Sequence, residues 1–192
     1  MSIFNLLKKV IKKPTEKTET FDMDKIDKMI RYHQKPEWHE DYMKHVAIAE
    51  QNKYIDDKQA QKHFNIAYEL AKDSITTKHF LLNKLIDYYY GLREQQNDAL
   101  EVCISYCEES IEMTPKVLKQ MEYEHKEIFE YDHDFVPPSI PAFKRLAIIY
   151  ENQGNYDKAI NVCQKAIDLG LKDGTKSGFE GRIERLKKKI NV

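Results

Sequence analysis

From residue 36 onward the apolar positions recur at intervals of three and four, the period of an amphipathic helix, and no two-residue alternation persists anywhere along the chain. Over 36–53 the series is Trp38, Tyr42, Val46 and Ala49; over 57–72 it is Ala60, Phe64, Ala67 and Ala71. These predict a first helical hairpin over 36–72. A second hairpin over 78–113 follows from Leu82, Leu85, Ile86 and Tyr89, a polar break at 94–97, and then Leu100, Ile104, Cys107 and Ile111. A third hairpin over 141–169 turns at Gly154.

Thr114-Pro115 has the form of a cap followed by a first-turn proline, which predicts a new helix with Leu118, Met121 and Ile128 inside an acidic insert over 114–138, stopped by Pro137-Pro138. Ser177-Gly178-Phe179-Glu180 has the spacing of a capping box and predicts a last helix over 177–190, with Phe179, Ile183, Leu186 and Ile190 on one side. Ahead of the hairpins, 1–13 groups Ile3, Phe4, Leu7, Val10 and Ile11 on one face and lysines on the other, and 14–21 is a polar linker. A short helix is expected over 24–33, within a main domain over 22–192.

The third hairpin reads Phe143-x2-Leu146-Ala147-x2-Tyr150, Gly154, Tyr156, Ala159-x3-Cys163, Ala166. This resembles the tetratricopeptide repeat, whose pattern is Trp-x2-Leu-Gly-x2-Tyr, then Ala-x3-Phe, then Pro. Small residues at Ala147, Ala159 and Ala166 permit a close helix approach, and Leu146, Tyr150 and Ile160 fill the space between the helices. Cys163 stands where the family has a large aromatic, and Leu171 where it has the closing proline. Ala60-x3-Phe64-x2-Ala67 and Leu82-x2-Leu85-Ile86-x2-Tyr89 are weaker copies.

The resemblance implies an all-α fold, a TPR-like right-handed stack of antiparallel helical hairpins closed by a capping helix, because a single repeat cannot bury its own faces. It also implies a non-catalytic adaptor or scaffold that holds a peptide or protein in the groove lined by the first helix of each repeat. Carried over residue by residue, that groove presents Lys144, Ile148, Glu151 and Asn152 from the third hairpin and Asn83, Asp87 and Tyr90 from the second. Lys144 is followed one turn on by Ile148 rather than asparagine, so the carboxylate clamp of some relatives is incomplete and chaperone-tail binding is not expected.

Composition agrees with helices joined by short turns: 41% apolar, 33% charged, and only six glycines and six prolines in 192 residues. A net charge of −1 supplies no general field for nucleic acid, so that partner is not expected. Charge is local: lysines at 8, 9, 12 and 13, a basic end with Arg182, Arg185, Lys187, Lys188 and Lys189, and six acids against one lysine over 122–134. The basic end suits the C-terminus of a helix dipole as well as it suits phosphates. Residues 1–13 suit weak peripheral contact with a membrane, a partner or the protein's own body.

Three cysteines, with Cys103 and Cys107 inside an apolar helical pattern, read as small buried hydrophobes, and a cytoplasmic location is the default expectation. Of Tyr88, Tyr89 and Tyr90, one is expected in the core and two on the surface, because consecutive helical residues diverge. No nucleophile motif or glycine-rich phosphate loop occurs, and no cofactor or metal is expected. The rival reading is a metal-binding or catalytic protein built on Glu122-x2-His125 and Glu130-x2-His133, although both copies fall on one short segment. Neither the partner nor the oligomeric state is signalled.

Overall fold

The computed structural model describes residues 23–129 and 131–190. The expectations for 1–13 and 14–21 fall outside the described residues. Two compact units are present, Met1–Gln34 and Lys35–Val192. In the first, α1 runs Met23–His33. The second contains α2 (Trp38–Asn52), α3 (Asp57–Ala71), α4 (Ile75–Leu92), α5 (Ala99–Tyr123), a π-helical turn (Glu124–Ile128), α6 (Pro141–Asn152), α7 (Tyr156–Asp168) and α8 (Gly178–Ile190). Among the described residues there is no strand.

Helices α2 with α3, α4 with α5, and α6 with α7 form the three hairpins; α3 meets α4, α5 meets α6, and α8 closes the stack on α7. Helices α3 and α4 are opened by side-chain caps. The Asp56 carboxylate accepts the Gln59 N–H at 3.1 Å to open α3, and the Ser74 hydroxyl accepts the Thr77 N–H at 3.4 Å to open α4. The turn between α6 and α7 needs Gly154 in the left-handed region at φ 73°, where a side chain would be strained. Gly91 serves a different need, since a Cβ there would collide with the Tyr54 ring lying on α4.

The core follows the sequence periodicity. Ala60, Phe64, Ala67 and Ala71 of α3 are fully buried, as are Ala147, Ala159, Cys163 and Ala166 in the third hairpin. Alanine at these places lets the helix backbones approach, so the cost of missing side chains is offset by close packing of the remaining atoms.

Two expectations are corrected. Thr114-Pro115 does not start a helix: α5 continues through it to Tyr123. Pro115 is exposed, so its ring sits on the solvent side, and the fully buried Thr114 donates its hydroxyl to the Ser110 carbonyl at 2.8 Å. The acidic insert is therefore the second hairpin's own helix prolonged, followed by the π turn and an extended return. The tyrosine triplet buries two rings rather than one. Helix α4 has neighbours on two sides, so Tyr88 lies against Phe64 of α3 at 5.2 Å while Tyr89 lies against Tyr106 of α5 at 5.7 Å. Only Tyr90 remains partly exposed.

Candidate functional site

The first helices of the second and third hairpins, α4 and α6, touch directly. On α4, positions 83, 87 and 90 are spaced by four and three, which aligns their side chains along one stripe. Arg145 of α6 meets that stripe: its guanidinium reaches the Asp87 carboxylate at 3.0 Å and lies over the Tyr90 ring at 3.9 Å. Arg93 covers the same ring at 4.1 Å and donates to the Tyr90 carbonyl at 2.7 Å. Two cations on one aromatic ring, Arg145 paired with Asp87 and Arg93 with Glu94, hold Tyr90 in a fixed pose.

The same connection recurs at each junction of the stack. Lys84 of α4 reaches back to Glu50 of α2 at 3.3 Å, Arg145 of α6 to Asp87 of α4, and Arg182 of α8 to Glu151 of α6 at 3.0 Å. Helices α4, α6 and α8 thus each carry a cation that grips a carboxylate on the first helix of the preceding hairpin. Burial alone would raise the Glu50 pKa, but the Lys53 hydrogen bond and the Lys84 and Lys53 charges pull it below the usual carboxylate range. Glu151 is likewise held low, by the Lys189 hydrogen bond above all, with the Lys189 and Arg182 charges outweighing its burial.

The seven residues expected to line the groove divide accordingly. Asp87 and Tyr90 come together with Arg145. Asn83 donates to the His79 ring at 3.4 Å, while its own amide oxygen is buried without a hydrogen-bond partner. Lys144 donates to the Asp173 carbonyl at 3.2 Å, Ile148 is half-buried, and Asn152 is exposed. Glu151 differs from the expectation, because both carboxylate oxygens are engaged by α8, one by Arg182 and the other by Lys189 at 2.8 Å. Its carboxylate serves the seating of the capping helix.

Arg145 and Arg93 were missed in the sequence. The separation of Arg145 from Asp87 is 58 residues, because the prolonged α5 and its return intervene, whereas Lys84 and Glu50 are 34 apart. Removing the insert 114–138 from the longer separation leaves nearly the shorter one, and that subtraction is the signal that would have placed Arg145 opposite Asp87.

On the other side of the stack an open groove of roughly 680 Å³ lies between α5 and α7, with Ile111, Pro115, Leu146 and Val162 among its lining residues. Burial first, and then the hydrogen bond that its hydroxyl donates to Glu108 of this groove at 2.9 Å, push the Tyr150 pKa up to about 12.

In the insert, the His125 Nε2 lies 2.7 Å from the His133 carbonyl oxygen, and the His133 ring stacks on those of His125 and Tyr131, which are tilted by 49° to each other. Among the described residues no three His, Cys, Asp or Glu side chains stand where they could hold one metal ion; Glu130 lies outside them. Among the same residues no helix is long and apolar enough to cross a membrane.

No curated protein and no solved structure matches the chain. Residues 140–170 match the family model described as tetratricopeptide repeat. That span covers α6, its glycine turn and α7, so the third hairpin is a TPR-like helical repeat, set in an all-helical stack of hairpins.

Proposed function

We propose that this chain is a non-catalytic adaptor that binds a peptide or protein segment along the face formed by α2, α4 and α6. Tetratricopeptide repeats in general mediate protein–protein contacts, and a stack of hairpins displays a continuous surface that no single hairpin can offer. The observation that carries the reading is the joint presentation of Asp87, Tyr90 and Arg145 by two helices from different hairpins. A rigidly held ring beside a guanidinium and a carboxylate loses little conformational freedom on binding, which favours recognition by the exposed edges of such groups. Ile148 adds a partly exposed aliphatic surface.

The chemistry is that of binding. The cysteines are free and buried; burial pushes the Cys163 thiol up to about 11, while the hydrogen bond with Cys107 lowers Cys103 against its burial. A cytoplasmic adaptor fits free, buried thiols.

The test is a screen of displayed peptides against the whole chain, repeated with Tyr90→Ala and with Asp87→Ala combined with Lys144→Ala. Ligands selected by the parent protein should bind these folded variants at least about tenfold more weakly, as expected when central aromatic and charged contacts are removed. Ligands that bind parent and variants equally would place recognition elsewhere. A swap of Lys144 and Glu151 charges is unsuited to this purpose, because reversing Glu151 would unseat α8.

A further inference from the structure

His45 of α2 and His63 of α3 meet inside the first hairpin, with their Nδ1 atoms 2.7 Å apart. The ring centroids are 4.9 Å apart. That distance is close to the nitrogen separation plus the two ring radii, so the rings meet nitrogen to nitrogen, although their planes differ by only 29°. A head-on Nδ1 contact of this length is a hydrogen bond, in which one ring carries the proton and the other offers its lone pair. Both rings are partly buried.

We infer that His45 and His63 form an acid-sensitive latch between α2 and α3, closed while the pair shares one Nδ1 proton and opened when both rings are protonated. In the closed pair the donor ring has a free Nε2. A first proton taken up there creates an imidazolium that donates to a neutral imidazole, and the bond is strengthened. A second proton must go on the accepting Nδ1. Two N–H groups would then point at each other across 2.7 Å, each on a cationic ring, and the contact must break.

The surroundings oppose the second proton further. Partial desolvation first, then His45, then Lys62 of α3 and Lys44 of α2, hold His63 below the ordinary imidazole range; among the described residues no carboxylate and no group of α4 acts against them. Uptake of the second proton is therefore opposed by the first, because the two rings share one hydrogen bond.

The sign of the stability effect follows. The unfolded chain binds the second proton more readily than the folded one, so the latch contributes fully above the unfolded imidazole pKa and is lost as pH falls through and below it. The consequence reaches the proposed binding face, because α2 carries Glu50, the carboxylate gripped by Lys84 of α4. Opening the hairpin loosens that first junction of the ladder. This step rests on the α2, α4 and α6 face being the functional one, whereas the latch itself does not.

The experiment is a ring-resolved NMR titration of the full chain from pH 8 to 4.5, run alongside thermal unfolding of the parent and of His63→Asn. Asparagine can donate to a neutral His45 or accept from a protonated one, so it satisfies the contact in both states and removes the conflict. The rings of His45 and His63 should titrate in two linked steps with the second proton bound at least about tenfold more weakly than the first. The midpoint of the parent should fall more steeply below pH 6.5 than that of His63→Asn; His79, which burial also holds low, contributes the same background to both. Independent, coincident titration of the two rings would overturn the latch, as would equal pH slopes in the two proteins. Should His63→Asn fail to fold, the ring titration of the parent decides alone. Loss of peptide binding on acidification tests the link to the binding face separately.

Discussion

Arg145 lies between Asp87 and Tyr90, 3.0 Å from the carboxylate and 3.9 Å from the ring centroid, and so joins two hairpins that are separated in sequence by the whole insert. A guanidinium can do both at once, because its plane stacks on the ring while its edge donates to the carboxylate. A lysine ammonium is a point charge and must choose. Asp87 is largely exposed, so the ion pair contributes little on its own, and Arg145→Lys should cost about 0.5 to 1 kcal/mol. Thermal unfolding should show a decrease of about 1 to 4 °C. A midpoint unchanged within error would mean that the ring contact contributes nothing to stacking.

Glu151 should matter more, because one of its partners is buried. Arg182 is 9% exposed and its Nε has no hydrogen-bond partner, so Glu151→Ala leaves a buried guanidinium with its main counter-charge removed. The expected loss is on the order of 2 kcal/mol, below that of a fully buried pair because Lys189 stays in water. The pH dependence has a definite sign. The folded carboxylate is held low by Lys189 and Arg182, so its contribution is present above the unfolded carboxylate pKa and disappears as pH falls through the folded value. Denaturant titrations between pH 7 and 3 should therefore show a smaller acid loss for Glu151→Ala than for the parent.

The hairpins were legible from sequence because their cores obey one rule: alanine at the crossing, a larger residue beside it. Ala60 with Phe64 and Ala159 with Ile160 sit where periodicity puts them. The proposed binding face was harder. Family spacing put Asp87 and Tyr90 on one helical stripe, but what Arg145 meets depends on how far the insert displaces α6, and what Glu151 meets on where α8 comes to rest. Neither is a local property. Helix periodicity identifies the buried stripe of an element without specifying which neighbour a polar side chain will meet. The tyrosine triplet illustrates the same limit, since two buried faces on α4 require knowing that a helix has neighbours on both sides.

Ala159 tests the repeat itself. It is fully buried, as is Ala147 across the same hairpin. Ala159→Leu inserts three carbons where the helices approach closely, and overpacking should cost about 1 to 3 kcal/mol. Circular dichroism should remain helical while the unfolding midpoint drops by about 2 to 12 °C. An unaltered midpoint would show that α6 and α7 do not approach closely at this residue.

Pro115 distinguishes a continuous α5 from two consecutive helices. At the first turn of a separate helix, proline is favourable, and replacing it by alanine would lower stability. Within a continuous helix it deprives the Ile111 carbonyl of an N–H partner and crowds that oxygen with its ring. Its exposed position means that alanine there removes little packing. The gain from the restored hydrogen bond and relieved crowding exceeds the added entropy of the unfolded chain, which is about 1 kcal/mol or less. Pro115→Ala should therefore raise stability by about 1 to 2 kcal/mol, with amides 116–119 better protected from hydrogen exchange because the backbone ladder of α5 is then unbroken. A decrease in midpoint, with protection lost across the same amides, would mean that a helix begins at this proline and that α5 ends before it.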